Sequence, residues 1–406
     1  MHLDIITELL ELQNYKAAMV IKTEESINVI LERIKDTPPV CSGCGKVHGT
    51  STHSSDVVTV EDLRIFNKRV SLTVPKRKVR CVEDNTIRVE EIPWLRGRVT
   101  DRFAEQVYRL TSITTNQEAG WFLGLDDEKV YRIDKSKLEE LALERLNPTP
   151  MPKKMSVDEV AWQKWHKYVT NVVDIDQRKV IWNHNGRGKV TLDKFFRSMD
   201  KEDRGNIEAV ACDGAKGYLS SIRQYAENAL MVLDHFHVKK YLNDAVDTVR
   251  KEELKKARQQ QNGELSEILH CNKRFILMQN TVTRKKQNLL ERLSSLNEKV
   301  YQAMLLKEQF VAIYKDHKTA HRSLKEWIVA AIRSNIPAFV ALGKKFFRKR
   351  HYVLNYFRHQ ITTAISEGIN NKIKRLSRMA YGYKNVSYFL LKIHQHCGLL
   401  NPRFAT

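Results

Sequence analysis

A multidomain α/β protein is the fold class this sequence predicts, and three observations predict it. Cys41 and Cys44 form a two-cysteine knuckle in a turn-rich segment. Pro148, Pro150 and Pro152 break the chain. Beyond them, strand-like and helical periods alternate. At 406 residues there is room for two or three cores.

Composition narrows the class. An apolar share of 42% suits a soluble globular chain, and no apolar run approaches the roughly 18 residues of a spanning helix. The 69 basic against 48 acidic residues leave +21, an excess that favours a polyanion through counterion release. Six sparse cysteines give no secreted framework. The start, MHLDIITELLEL, is amphipathic and lacks the basic region and cleavage site of a signal peptide. The expectation is a reducing cytoplasm, association with the nucleoid, no membrane, and nucleic acid as partner.

The elements follow in order. Residues 1–35 are expected to form N-terminal amphipathic helices, ended by Asp36-Thr37-Pro38-Pro39. Residues 36–95 read as a zinc-ribbon-like module, with strands at Lys68–Val74 and Lys76–Cys81. Cys41 and Cys44 have the spacing by which two thiolates share one zinc, and Cys81 offers a third. An aspartate stands where the partner of Cys81 belongs, so Asp84, His48 or His53 supplies a fourth ligand, or the module is a metal-free remnant.

Residues 96–147 read as a helix-turn-helix DNA-binding module. One helix ends at Leu123, Gly124 turns, Asp126 or Asp127 caps a second helix, and Gly120 allows their close crossing. Lys129 and Arg132 on that second helix are expected DNA contacts. After the linker come three strand-like runs, Met155–Trp162, Lys167–Ile175 and Lys179–Asn183, then helices alternating with the buried-looking strands Ile207–Asp213 and Leu230–Asp234. A meander followed by alternating helices and strands is the order of a ribonuclease-H-like core. Its first part is placed at 153–245, an all-helical insertion at 246–340, and its last part at 341–406. Leu289, Leu293, Leu296, Val300 and Met304 recur at spacings of three and four, as a helix packing on its neighbours or a dimer-forming coiled coil would require.

Such a core gathers metal ligands from its first strand, the end of its fourth strand and a late helix. Asp158, Asp213 and Glu367 occupy those places. Three carboxylates can hold two magnesium ions, with manganese as a substitute, for phosphodiester chemistry. Asp234 and His237 follow the next strand. They are expected just outside the metal ligands, although histidine suits magnesium poorly and His237 also reads as an ordinary helix-start residue. The exposed basic run after Glu367, with Lys372, Lys374, Arg375 and Arg378, is expected to hold DNA.

The stretches SVDEVAWQKWHKYVTNVVDID, AVACDGAKGYLSSIRQY, LDHFHVKK and ISEGINNKIKRLSRMAYGYKN resemble the DDE transposases of the ISL-three type of bacterial insertion sequence. The likeness spans nearly the whole chain, and the late EG-N-KIK-R-A-G-Y-N pattern is its most specific part. It implies a transposase that binds the ends of its element, double-stranded DNA, as a homo-oligomer (a dimer), and cuts and transfers strands with Asp158, Asp213 and Glu367. Asp84 departs from the family's fourth cysteine. A non-catalytic regulator or a structure-specific nuclease are the alternatives.

Overall fold

A computed structural model describes residues 3–34, 37–47, 53–146, 150–163, 167–277, 284–359, 361 and 364–402. They form two units, one reaching Glu144 and one running from Arg145 to Asn401. Among the described residues, no helix is long and apolar enough to cross a membrane.

In the first unit, helix α1 (Leu3–Leu10) is followed by strands β1 (Tyr15–Lys22) and β2 (Ser26–Arg33). The helices expected through residue 35 therefore stop at Leu10. Ile27, Val29 and Leu31 alternate with period two, which β-branched residues favour in a strand, and Val29 and Leu31 are buried. The strands β3 (Val40–Cys41), β4 (Ser54–Ile65), β5 (Lys68–Arg80), β6 (Ile87–Glu91), β7 (Leu95–Arg96) and β8 (Val99–Thr100) complete one sheet. Its order is β1-β2-β5-β4-β8-β7, with β6 on β5 and β3 on β6. The expected boundary between residues 95 and 96 thus falls inside β7, because the sheet continues to Thr100.

Helices α2 (Asp101–Thr111), α3 (Asn116–Leu123) and α4 (Asp127–Arg145) pack through Phe103, Val107, Ala119, Leu123 and Val130. Thr115 and Glu118 form a capping box at the start of α3, and Gly124 ends it at φ 64°, where a side chain is strained. Asp126 then accepts the Lys129 N–H at 2.7 Å. A Cβ on Gly120 would stand 2.7 Å from the Leu125 carbonyl oxygen, so only glycine permits this crossing. Arg64 and Arg69, flanking the β4–β5 turn, donate to the carbonyls of Leu123 (2.6 Å) and Gly124 (3.1 Å).

The second unit opens with the antiparallel meander β9 (Lys154–Gln163), β10 (Lys167–Asp174) and β11 (Lys179–Asn185). Helices α5 (Lys189–Arg197) and α6 (Lys201–Gly205), strand β12 (Ala209–Cys212), helix α7 (Lys216–Tyr225) and strand β13 (Leu230–Leu233) follow. Strand order is β11-β10-β9-β12-β13, with β12 parallel to both of its neighbours. Met155, Val157 and Val172 face α5 and α7, while Val160, Val169 and Val173 face α15 (Ala364–Met379) and α16 (Val386–Cys397).

Between them run α8 (His235–Gln259), α9 (Gly263–Cys271), α10 (Lys273–Leu277), α11 (Arg284–Leu296), α12 (Glu298–Ile313), α13 (Ala320–Arg333) and α14 (Pro337–His359). The expected insertion limits, 246 and 340, both fall inside continuous helices, α8 and α14. The apolar positions Leu289, Leu293, Val300 and Met304 are buried in this unit's own core, which disposes of the coiled-coil alternative for them. Asn297 interrupts their helix, its side chain accepting the Val300 N–H.

Candidate active site and cysteine cluster

The parallel strands set three acids level. Ala211 pairs with Ser156 and Cys212 with Leu233. Asp158 lies two residues beyond Ser156 and Asp213 two beyond Ala211, while Asp213 and Asp234 each immediately follow their strand. Adjacent strands lie about 4.8 Å apart, so these carboxylates are near neighbours. Their charges register on one another. Burial raises the Asp158 pKa, and Asp234 and Asp213 raise it further, against the Glu159 N–H and the charge of His237. His237 Nδ1 bonds Asp234 at 2.8 Å. Burial opposes its charged form, but Asp234, then Asp158 and Asp213, outweigh that and raise its pKa.

Helix α15 is fastened alongside β9. Ser366 and Ser156 share a hydrogen bond, and Asn370 Nδ2 donates to Asp158 Oδ2 at 2.6 Å. One helical turn and two strand residues each advance about 6 Å, so the two contacts keep pace. Glu367 sits three residues before Asn370, about a sixth of a turn round the helix from it, and is exposed. The structure thus brings Asp158, Asp213, Asp234 and His237 together, with Glu367 on the adjoining helix. Among the described residues, the only three His, Cys, Asp or Glu groups with ligand atoms within 4.8 Å of one another are cysteines, so the acids are not drawn to one point. Lys372, Lys374, Arg375 and Arg378 are exposed on α15.

Several groups at this site escaped the sequence reading. Asn171, directly across from Asp158 on β10, is 1% exposed, and neither of its amide atoms has a hydrogen-bond partner among the described residues. Tyr241 donates to the Asp213 carbonyl (3.2 Å) and Lys349 to that of Gly214 (2.5 Å). Asn370 belongs to the late motif, but nothing in spacing says that it reaches Asp158. The signal for Lys349 was available: no acid occurs from Trp327 to Ser366.

In the first unit, the sulfurs of Cys41, Cys44 and Cys81 lie within 4.8 Å of one another. A Lys46 N–H lowers the Cys44 pKa, but burial and the two neighbouring thiols raise it overall. Soft sulfur donors at this spacing fit zinc better than magnesium. Asp84 stands beside them, its carboxyl held well below the usual range by Arg88, then Thr86, with Cys81 also donating to it. As the fourth ligand it would have to share that carboxylate with Arg88. His53 is exposed at the head of β4, and His48 lies outside the described residues. Lys129 and Arg132 line a recess of about 690 Å³ with Arg96, Arg98 and Lys137. Lys129 is ion-paired to Glu61 at 2.7 Å, so its charge is already partly answered.

Comparison with known proteins makes this a DNA-processing protein of the mobile-element class. A family model described as a transposase, of the DDE type found in ISL3 elements, matches residues 155–393, and a zinc finger of the transposases of IS204, IS1001, IS1096 and IS1165 matches residues 37–84. The chain is 32% identical over 361 residues to the transposase for insertion sequence element IS1001 of Bordetella parapertussis, covering 87% of each. It is 26% identical over 255 residues to the transposase for IS1557 of Mycobacterium tuberculosis, covering 57% of each. The chain belongs to the ISL3-type DDE transposases.

Proposed function

We propose that this protein binds the ends of an insertion sequence and catalyses DNA strand cleavage and strand transfer, with Asp158, Asp213 and Glu367 as metal ligands. The observation that carries the reading is the row of Asp158, Asp213 and Asp234 across three parallel strands, with the Glu367 helix fastened to the first of them by Asn370. The β11-β10-β9-β12-β13 order supports a ribonuclease-H-like core. Oxygen donors suit magnesium or manganese, and the mutual repulsion felt by Asp158 is what a divalent cation relieves. Two such ions, when bound, stabilise the attacking and leaving oxygens of an in-line displacement.

The chain's own groups position the reaction. The Glu159 N–H and Asn370 fix both oxygens of Asp158. Asp234 orients the His237 ring beside the acids, close to the ligands but not among them. Water attacks the phosphorus at the element's end, the P–O3′ bond breaks, and a 3′ hydroxyl is released. That hydroxyl then attacks a target phosphodiester, displacing the target's own 3′ oxygen. The cysteine cluster, holding zinc with Asp84 as fourth ligand, and helices α3 and α4, as a helix-turn-helix with Arg132, would read the element ends, the protein acting as a dimer on DNA in the bacterial cytoplasm.

The test is incubation of the purified protein with DNA carrying its element's ends, with and without magnesium, and mapping of the cuts. Metal-dependent cuts at the ends that vanish in Asp158→Asn and Asp213→Asn while binding persists are expected. Cutting by either variant at the wild-type rate would remove the acid row from the mechanism.

A further inference from the structure

Helix α14 passes directly beside the acid-bearing turn after β12. Its 23 residues hold six lysines and arginines and no acid. Lys349 donates to the Gly214 carbonyl, one residue from Asp213. One turn earlier on the same face, Lys345 Nζ lies 3.1 Å from the centroid of the Tyr241 ring, whose hydroxyl is bonded to the Asp213 carbonyl. Lys344 and Arg348, also a turn apart, are exposed on the adjoining face. Among the described residues, none of these four forms an ion pair with a carboxylate. Lys129 and Lys137 of the first unit, by contrast, pair with Glu61 and Asp101.

Cations held by a carbonyl and a ring, rather than by an acid, keep their charge available to an incoming anion. Two are already half-buried, so part of their desolvation is met in folding, and their companions face solvent. The two rows lead along one helix to the edge of the candidate active site.

We infer that this face of α14 is the track for the phosphate backbone of the DNA strand entering the acid row, with Lys344, Lys345, Arg348 and Lys349 as its contacts. The assignment rests on the functional reading above for what happens at the end of the track, but not for the binding itself. It is distinct from the basic run of α15, whose helix lies against β9.

The experiment measures affinity of the full chain for a random-sequence duplex against salt concentration, without divalent metal. It compares wild type, Lys344→Ala with Arg348→Ala, and a control, Lys318→Ala with Lys325→Ala, also exposed but on the α12–α13 connection and α13. Each phosphate contact contributes about 0.9 to the slope of log K against log salt. The α14 pair is expected to flatten the slope by nearly two units and weaken binding at least tenfold near 0.1 M salt, and the control to change neither. Neither α14 side chain is buried, so both variants should fold. An unchanged slope, or an equal change in the control, overturns the assignment. If the slope flattens but wild type never cuts element ends, the functional reading fails and the surface stands. If Asp213→Asn abolishes cutting and the slope is unchanged, the reverse holds.

Discussion

Asn370→Ala removes the donor that holds one oxygen of Asp158. The bond is 2.6 Å long, Asn370 is 8% exposed, and its acceptor is a carboxylate whose charged form burial already disfavours. A hydrogen bond to a charged group contributes about 1.5–3 kcal/mol, and Asp158 would keep only the Glu159 N–H and the charge of His237. The loss should therefore be about 2 kcal/mol where Asp158 is ionised, and its pKa should rise further. The sign follows from linkage. The bond counts only while the carboxylate is charged, so the difference between variant and wild type is full above the folded pKa of Asp158 and fades as pH falls through it. Ser366→Ala is the internal control, because the hydroxyl pair it breaks carries no charge and its loss should not vary with pH. Urea unfolding in metal-free buffer, from below the ordinary aspartate value of 3.8 up to about pH 8 and followed by tryptophan fluorescence, reads both. A loss for Asn370→Ala that is the same at every pH, or below about 0.5 kcal/mol throughout, refutes the claim that this amide supports the charged acid.

Three further outcomes are expected. Gly120→Ala should destabilise the first unit by about 1–2 kcal/mol in thermal unfolding, although alanine in a helix normally gains about 1 kcal/mol over glycine, because its Cβ would meet the Leu125 carbonyl; a stabilised variant would show that α3 and α4 can part without penalty. Burial pushes His394 down to about 4, so the unfolded chain binds the extra proton between that value and about 6.5. Stability should fall by on the order of 3 kcal/mol as pH drops through that window, and urea midpoints for His394→Gln should be flatter there. Zinc should co-purify with the protein and be lost in Cys41→Ser with Cys44→Ser. Asp84→Cys should slow its capture by a chelator at least tenfold by adding a fourth thiolate, and equal zinc in all three proteins would exclude the cluster as its site.

By itself the sequence determined the elements whose signals are local. The meander, the two buried strands after it and the α3–turn–α4 unit could be read from period, from Gly120 and Gly124, and from capping residues, because each follows from backbone sterics and hydrogen bonds within a few residues. It also named Asp158 and Asp213 through their places on strands. Local period misled where a second signal overlapped it. The amphipathic period at Leu3–Leu10 does not extend into Tyr15–Arg33, where the pairing of β1 with β2 and of β2 with β5 favours strands. Insertion limits drawn at changes of composition cut through α8 and α14, since a helix ends where its backbone hydrogen bonds end and not where its charge changes. Only the tertiary structure decided that Asn370 reaches Asp158 across 212 residues, that Lys349 reaches Gly214 across 135, and that Arg88 holds Asp84 beside the cysteines. Those partners are chosen by strand register and helix packing, long-range contacts for which no short stretch of sequence carries a signal.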